Sequence, residues 1–171
     1  LVLGDSLSAA YGMDETAGWV ALLKQKLQKI APTVKVVNAS ISGETTSGGK
    51  QRLPALLKQH HPHLLVLELG ANDALRGQDL NVTQQNLQWM IEACQQTNEK
   101  CRVVLLGVRL PTNYGPAYDG MFQMMYQNLA QKNNLLFDAF FLETVAEDPD
   151  LVQWDGLHPN ALAQPVILKR V

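Results

Sequence analysis

The chain has 171 residues, of which 46% are hydrophobic and 18% are charged, and its formal net charge is -2. This balance is typical of a globular protein with a hydrophobic core, and it excludes a largely disordered chain. Neither the charge nor any run of Lys or Arg indicates a surface for nucleic acid or anionic lipid. The longest apolar runs have the length of strands, too short to span a bilayer. We expect a single domain over residues 1–171.

Short apolar runs alternate with longer segments whose apolar residues recur at helical spacing. The short runs predict strands at residues 1–4, 34–37, 64–69, 103–108 and 135–137. The longer segments predict helices at residues 19–30, 50–60, 82–96, 117–132 and 161–171. Strands that alternate with helices favour an α/β fold, in which helices cover both faces of a parallel sheet.

The carboxyl ends of parallel strands form the edge at which α/β proteins bind ligands. This rule selects the segments that follow the predicted strands, together with the segment before the last helix. They comprise residues 5–11, 39–46, 70–79, 109–116 and 154–160. Because nearly all unusual polar clusters of the sequence lie in these segments, we expect a functional site at this edge.

The first of these segments follows a buried strand and begins within Gly4-Asp5-Ser6. A serine there can lie at a helix N-terminus with its hydroxyl exposed, where free N–H groups and the helix dipole favour developing negative charge. Ser6 is therefore a candidate nucleophile. The same tripeptide is equally compatible with an ordinary helix N-cap, which Ser and Asp both favour.

The last segment contains Asp155 and His158, three residues apart. Within one turn of the backbone, the carboxylate can face the imidazole, hold it and stabilise its protonated form. The pair is then a candidate general base with its orienting carboxylate. A turn-forming aspartate and a solvated histidine before Pro159 would give the same pattern, but the pair is predicted at the same sheet edge as Ser6.

Two further segments offer donors for a developing oxyanion. Asn72, after the third predicted strand, carries a side-chain amide that can donate a hydrogen bond to such an oxygen. Gly43, after the second, can turn its backbone N–H to the same point because glycine tolerates the required dihedral angles. Alone, each residue is more typical of a turn. Together the four segments supply a nucleophile, a base, an orienting carboxylate and two oxyanion donors.

These four segments, in this order, resemble the SGNH branch of the GDSL hydrolases. The matching blocks are residues 4–8, Gly43, residues 70–73 and residues 155–159. Further runs resemble its bacterial periplasmic thioesterase I, lysophospholipase L1 and arylesterase subgroup. These runs are residues 38–43, 52–57, 75–77, 109–115, 155–160 and 163–165. The resemblance extends over nearly the whole chain.

The resemblance implies a flavodoxin-like three-layer α/β/α sandwich with a central five-stranded parallel sheet. It implies that Ser6, Asp155 and His158 form a catalytic triad. It also implies an oxyanion hole made by the backbone N–H groups of Ser6 and Gly43 and by the Asn72 side chain. The activity it implies is hydrolysis of carboxylic esters and thioesters through an acyl-enzyme, in a family that usually needs neither metal nor cofactor.

The subgroup also implies where the acyl chain binds. Residues 75–80 resemble a mobile loop that closes over the acyl chain, and residues 109–115 resemble another wall of the acyl site. We therefore expect both loops to contact substrate. The contact residues implied are Leu75, Arg76, Gly77, Arg109, Leu110 and Pro111.

The substrate expected from the resemblance is a small ester, a thioester or a lipid. We expect a monomer with neither stable membrane insertion nor a nucleic-acid partner. Because the chain opens at Leu1 within a predicted strand, we expect a trimmed N-terminus and, from the resemblance, a periplasmic or secreted protein. Two other functions stay open: a carbohydrate esterase of the acetylxylan type with a more polar cleft, and a non-catalytic binder of lipid or glycan.

Two groups of potential metal ligands lie outside the matched blocks. Cys94 and Cys101 are equally compatible with a disulfide and with two free thiols, because spacing alone does not give the separation of their Cα atoms. The histidines at positions 60, 61 and 63 favour a solvated helix end over a metal site, since no carboxylate or thiol nearby in the sequence completes a ligand set.

Two apolar segments contain residues that need an explanation. Glu68 lies inside a predicted buried strand, where an unpaired carboxylate would be costly. Either it pairs with Arg52 or Arg109, or the strand is less buried than its apolar run predicts. The methionines and the phenylalanine of residues 121–125 are compatible with core packing, which Met commonly provides, and also with an acyl pocket.

Overall fold

The computed structural model describes residues 1–97 and 100–171. In this part of the chain, the strands form one parallel sheet in the order β1-β2-β3-β4, and they are β1 (Val2–Gly4), β2 (Leu64–Glu68), β3 (Arg102–Leu106) and β4 (Leu136–Asp138). The α-helices are α1 (Trp19–Ile30), α2 (Thr46–His60), α3 (Ala71–Leu75), α4 (Leu80–Thr97), α5 (Pro116–Asn133) and α6 (Gln164–Arg170). Short 3₁₀ turns lie at Glu15–Ala17 and Thr112–Tyr114.

Both faces of the sheet are covered. Leu65, Val66 and Leu67 follow one another in β2 and are all buried, although successive side chains of a strand point to opposite faces. The helix α1 packs against α6, while α4 packs against both α2 and α5. The predicted α/β fold, a parallel sheet flanked by helices, is therefore confirmed.

The register of the sheet brings the predicted site segments to one edge. Gly4 at the end of β1 lies opposite Glu68 at the end of β2, and Leu106 of β3 lies opposite Asp138 of β4. The residues that follow these strands therefore all start from the same edge, where parallel sheets place their binding sites.

The strand expected at residues 34–37 is wrong, so the described sheet has four strands where five were expected. In its place, one parallel bridge joins Val2 to Asn38. The bridge consists of hydrogen bonds from Val2 N to Val37 O and from Ala39 N to Val2 O, both 2.8 Å long. Beyond the bridge, Ile41 N donates to Gly4 O at 3.1 Å, but residues 34–37 form no strand. Their β-branched residues indicate extended backbone without showing how far it pairs.

Several helices differ from the sequence prediction at their starts or altogether, and α4 begins two residues earlier than expected. The helix α2 begins at Thr46 and not at residue 50, because the Thr45 side chain accepts a hydrogen bond from Gly48 N and caps it. The helix α6 begins at Gln164, three residues later than expected. The short helix α3 is not predicted by any periodicity, and it follows Gly70, whose φ is 122°.

Cys94 and Cys101 form a disulfide with their Cα atoms 5.7 Å apart, which decides between the two alternatives. The bond joins the last turns of α4 to the residue before β3. Both cysteines are buried, so the disulfide itself is part of the core.

The histidines at positions 61 and 63 are exposed just after α2, as expected of a solvated helix end. Within residues 1–97 and 100–171, no three His, Cys, Asp or Glu side chains come together in a way that could hold a metal ion. None of the described helices combines the length and the apolar character needed to cross a membrane.

Candidate active site

Side chains from the two ends of the chain form one hydrogen-bonded series. Atom Nε2 of His158 lies 2.9 Å from Oγ of Ser6, and its Nδ1 lies 2.6 Å from Oδ2 of Asp155. Ser6 follows β1, whereas Asp155 and His158 lie in the segment before α6. The structure thus brings together three residues that the sequence places at one edge of the sheet.

The turn that carries His158 is organised by the carboxylate of Asp155. Oδ1 of Asp155 accepts hydrogen bonds from the backbone N–H groups of Leu157 and His158, both at 3.0 Å. Gly156 has a φ of 67°, a conformation that residues with a side chain rarely adopt. One oxygen of Asp155 therefore shapes the turn while the other holds the imidazole.

Asp155 is held in its ionised form. Partial burial alone would raise its pKa, but hydrogen bonds from the backbone N–H groups of His158 and Leu157, and from the imidazole, keep the pKa below its usual value. An ionised carboxylate in this position can stabilise the positive charge that an imidazole gains when it accepts a proton.

The ring of Tyr11 packs against the imidazole of His158, with ring centroids 4.5 Å apart and planes inclined by 41°. The Tyr11 carbonyl accepts a 2.7 Å hydrogen bond from Nε2 of Gln153, and the Gln153 N–H donates to the His158 carbonyl. These contacts tie the loop after β1 to the His158 turn and restrict rotation of the imidazole. The sequence analysis missed Tyr11, because no local pattern links it to a residue so distant in the chain.

The loop that carries Ser6 is a series of turns that the preceding aspartate helps to form. Oδ1 of Asp5 accepts a hydrogen bond from Leu7 N at 3.0 Å. Because residues 6–12 form turns and not a helix, the expected helix N-terminus at Ser6 and the helix N-cap interpretation are both wrong. The hydroxyl of Ser6 is left to face His158.

The partners expected for Glu68 are wrong. Arg52 pairs with Glu44 at 2.7 Å, and Arg109 pairs with Asp119 at 2.8 Å. Both arginines thus pair with carboxylates that are themselves largely covered, since the side chains of Glu44 and Asp119 are 11% and 9% exposed.

Glu68 has hydrogen-bond donors from β1 and the loop after it. Its Oε2 accepts hydrogen bonds from the Ser8 hydroxyl at 2.8 Å and from Asp5 N at 3.2 Å. A Cβ at Gly4 would lie 2.6 Å from the same oxygen and 2.9 Å from the Ser8 side chain. Glycine before Asp5 is therefore required by the close approach of this buried carboxyl group.

Asn72, the first oxyanion candidate, lies in α3. Its Nδ2 donates a hydrogen bond to Oδ2 of Asp5 at 3.0 Å, and it lines the same cavity as Ser6 and His158. An amide nitrogen carries two hydrogens, so a second N–H of Asn72 is left for another acceptor.

Gly43, the second oxyanion candidate, lies in a turn with a φ of 78°. Its carbonyl accepts a 3.1 Å hydrogen bond from Nη2 of Arg76, which anchors the peptide between Gly43 and Glu44. Asp73, next to Asn72, accepts a hydrogen bond from Thr46 N at 2.9 Å. Two separate contacts therefore join the Gly43 turn and the start of α2 to α3. Gly43 itself is not part of the cavity lining.

A cavity of about 550 Å³ opens beside Ser6 and His158. Much of its wall is apolar, as is usual for sites that bind small molecules. Of the six predicted substrate-contact residues, those that line it are Leu75, Arg109, Leu110 and Pro111. Arg76 and Gly77 do not line this cavity, and Gly77 borders a separate groove on α5.

One wall of the cavity was missed by the sequence analysis. Phe140, Leu142 and Ala146 contribute to it and lie after β4. The rule that selects loops after parallel strands applies to this segment as well. Its apolar residues look like ordinary core residues in the sequence, and nothing marks them as cavity lining although polar residues such as Glu143 and Glu147 lie beside them.

The apolar residues of the segment 121–125 do not line the cavity. Phe122 and Met125 are buried in the core, whereas Met121 and Met124 are more than half exposed. The core interpretation therefore holds for two of these four residues, and the acyl-pocket interpretation finds no support.

Comparison with known proteins places these features in a family. Residues 2–164 match the model of the GDSL-like lipase/acylhydrolase family. Esterase TesA of Pseudomonas aeruginosa is 47% identical over 171 residues, which cover 100% of this chain and 84% of the relative. Thioesterase 1/protease 1/lysophospholipase L1 of Escherichia coli K12 is 46% identical over 167 residues, which cover 98% of this chain and 78% of the relative.

A solved structure agrees with these relatives. The psychrotrophic esterase EstA from Pseudoalteromonas sp., in a form inhibited by monoethylphosphonate, superposes with a TM-score of 0.93 at 41% identity, covering 99% of this chain and 91% of that one. The match extends over the sheet, its helices and the segments that carry Ser6 and His158. The chain therefore belongs to the GDSL-like lipase/acylhydrolase family.

Proposed function

We propose that this chain is a serine esterase that hydrolyses carboxylic esters and thioesters through an acyl-enzyme. The observation that carries the proposal is the series Ser6–His158–Asp155, with contacts of 2.9 Å and 2.6 Å, beside a largely apolar cavity. A nucleophile in contact with a base that a third group orients is the arrangement that acyl transfer requires.

In the proposed reaction, Nε2 of His158 accepts the Ser6 proton as Oγ attacks the carbonyl carbon. The carbonyl electron pair moves to oxygen, and Asp155 stabilises the imidazolium that forms. When the tetrahedral intermediate collapses, the alkoxide or thiolate leaves with the proton from His158. Water then attacks the acyl-enzyme with His158 again as base, and the acid and free Ser6 are released.

The developing oxyanion is proposed to bind three donors, which are the backbone N–H groups of Ser6 and Gly43 and the side-chain amide of Asn72. The position of Asn72 in the cavity with Ser6 supports its role. The hydrogen bond from Arg76 to the Gly43 carbonyl ties this turn to the end of α3 and so supports the second donor, since a donor in an anchored turn needs little rearrangement during the reaction.

The proposed substrates have short to medium acyl chains or aryl groups, and lysophospholipids and acyl-CoA are included. An apolar cavity of about 550 Å³ supports this class. Two relatives support it as well, since one is named an esterase and the other a thioesterase and lysophospholipase. We also propose a periplasmic or secreted location, which the disulfide supports because such bonds persist in oxidising compartments.

A chain-length series tests the proposal. Rates are measured with p-nitrophenyl esters and acyl-CoA thioesters of increasing length, with acetylated xylan as comparison and Ser6→Ala as control. We expect kcat/KM to rise by up to about fourfold per added CH₂ until the cavity is filled, because each buried CH₂ contributes about 0.8 kcal/mol. Fastest turnover of acetylated xylan would indicate a carbohydrate esterase, and binding without turnover would indicate a non-catalytic binder.

A further inference from the structure

Two carboxyl groups lie buried beneath Ser6, and the proposed reaction uses neither. Asp5 and Glu68 are each 1% exposed. They adjoin because Gly4 is paired with Glu68 in the sheet, so the residue after β1 reaches the end of β2. Asp5 N donates to Oε2 of Glu68 at 3.2 Å, which holds the Glu68 carboxyl group against the backbone of Asp5.

In a buried site, two adjacent carboxylates do not both ionise, because like charges repel and burial disfavours each charge. The pair therefore holds one proton at neutral pH. Burial raises the pKa of Asp5 to about 6 and the pKa of Glu68 well above its usual value, with the Asp5 charge adding to the effect on Glu68.

The environment of Asp5 indicates that Glu68 carries this proton. Oδ1 of Asp5 accepts a hydrogen bond from Leu7 N, and its Oδ2 accepts one from Asn72 Nδ2, both at 3.0 Å. His158 also favours the charge on Asp5. The remaining titratable group that faces the pair is Tyr126, whose hydroxyl donates to the Leu69 carbonyl. Asp5 is therefore the anion and Glu68 its neutral neighbour.

The charge on Asp5 determines which way the Asn72 amide points. An ionised carboxylate only accepts hydrogen bonds, so Asn72 presents its NH₂ group and keeps its second N–H for the cavity. A neutral group at position 5 could instead donate to the oxygen of Asn72. The amide could then turn and present its oxygen to the substrate, where it would repel an oxyanion.

We propose that Asp5 and Glu68 are positioning residues that share one proton, and that through it they hold Asn72 with an N–H directed at the substrate carbonyl. The inference rests on the proposed esterase function, because it explains what orients one donor of the proposed oxyanion hole. Neither residue is proposed to touch the reacting atoms, and both act through Asn72.

A double-mutant cycle tests the link from Asp5 to Asn72. Values of kcat and KM are measured on p-nitrophenyl butyrate for the wild type, Asp5→Asn, Asn72→Ala and the double variant. We expect Asp5→Asn to lower kcat by about tenfold or more with little change in KM, since it weakens one oxyanion donor. In the Asn72→Ala background, the same change should lower kcat by less than about threefold, because the group it positions is gone.

The shared proton predicts a difference between two isosteric changes. Glu68→Gln keeps a neutral donor toward Asp5, so its kcat should exceed that of Asp5→Asn by about tenfold. Asp14→Asn is the matched control, because Asp14 caps Thr16 N as Asp5 caps Leu7 N but lies outside the cavity. Thermal unfolding confirms that each variant is folded.

The outcomes separate the inference from the function on which it rests. Equal losses of kcat from Asp5→Asn in both backgrounds, or a loss from Glu68→Gln as large as that from Asp5→Asn, would overturn the inference. Both comparisons of kcat require a wild-type protein that is active and that reacts with a fluorophosphonate. An inert wild type would instead overturn the proposed function.

Discussion

Two networks centred on carboxyl groups meet near Ser6, and they shift the pKa of those groups in opposite directions. The outer network consists of Ser6, His158 and Asp155, and the inner network consists of Asp5, Glu68 and Asn72. In the outer network, the Asp155 side chain is 21% exposed, and N–H groups with the imidazole keep its pKa low. In the inner network, burial raises the pKa of Asp5 to about 6 and raises the pKa of Glu68 well above its usual value. The difference shows that access to water and the number of N–H donors, more than residue type, set the charge of a carboxyl group.

The outer network should carry the largest effect on activity. Ser6→Ala or His158→Ala should lower kcat on p-nitrophenyl butyrate by about 10⁴-fold or more, because nucleophile and base act as one unit. The double variant should lose no more than either single one. Circular dichroism and thermal unfolding serve as controls, and a folded Ser6→Ala protein with unchanged turnover would contradict the role of the outer network.

The sequence predicts the outer network well, for a physical reason. Ser6, Asp155 and His158 each lie in a segment whose location follows from the order of strands and helices. The distance between them then follows from the geometry of a parallel sheet.

The inner network depends on features that are not local in sequence. Glu68 meets Asp5 only because of the register between β1 and β2, and several registers suit such apolar strands equally well. The same limitation explains the error at residues 34–37 and the contact of Tyr11 with His158. Local patterns report whether backbone is extended or helical, but not which residues finally pair.

Opposite pH dependence of stability distinguishes the two networks. The pKa of Asp5 is raised from 3.8 to about 6, so its stabilising contribution is present in acid and is lost as pH rises through about 6. Relative to Asp5→Asn, the wild type should lose on the order of 3 kcal/mol of unfolding free energy between about pH 3 and about pH 7.

Asp155→Asn should show the reverse trend. Because the pKa of Asp155 is lowered, its contribution is present above the unfolded pKa and is lost as pH falls. Urea unfolding of the wild type and both variants at several pH values measures the two slopes. Slopes of the same sign would contradict the contrast between the networks.

The disulfide should affect stability without affecting either network. Cys94 and Cys101 close a short loop between α4 and β3. Replacing both with Ala should lower the unfolding free energy by about 2–3 kcal/mol, since the open loop gains entropy when unfolded. Urea unfolding and kcat are measured in parallel, and a fall in kcat of more than about threefold would show that the site depends on this remote link.

The smallest effect is expected at the loop after α3. The Tyr114 hydroxyl donates to the Leu75 carbonyl at 3.0 Å, so Tyr114→Phe should cost about 1 kcal/mol locally. Amide hydrogen exchange of residues 75–80 should then become faster, and a bound fatty acid should slow it in the wild type. Exchange that is the same with and without fatty acid would count against a mobile loop that closes over the acyl chain.

The most direct test of the central claim is to locate the reactive nucleophile. The wild type and its Ser6→Ala, His158→Ala and Asp155→Asn variants are treated with a fluorophosphonate, and intact-mass and peptide analysis identify the modified residue. The account predicts a single adduct on Ser6, none in Ser6→Ala, and labelling slowed by about a hundredfold or more when the base or its carboxylate is changed. An adduct on another residue, or labelling at the wild-type rate in His158→Ala, would contradict it.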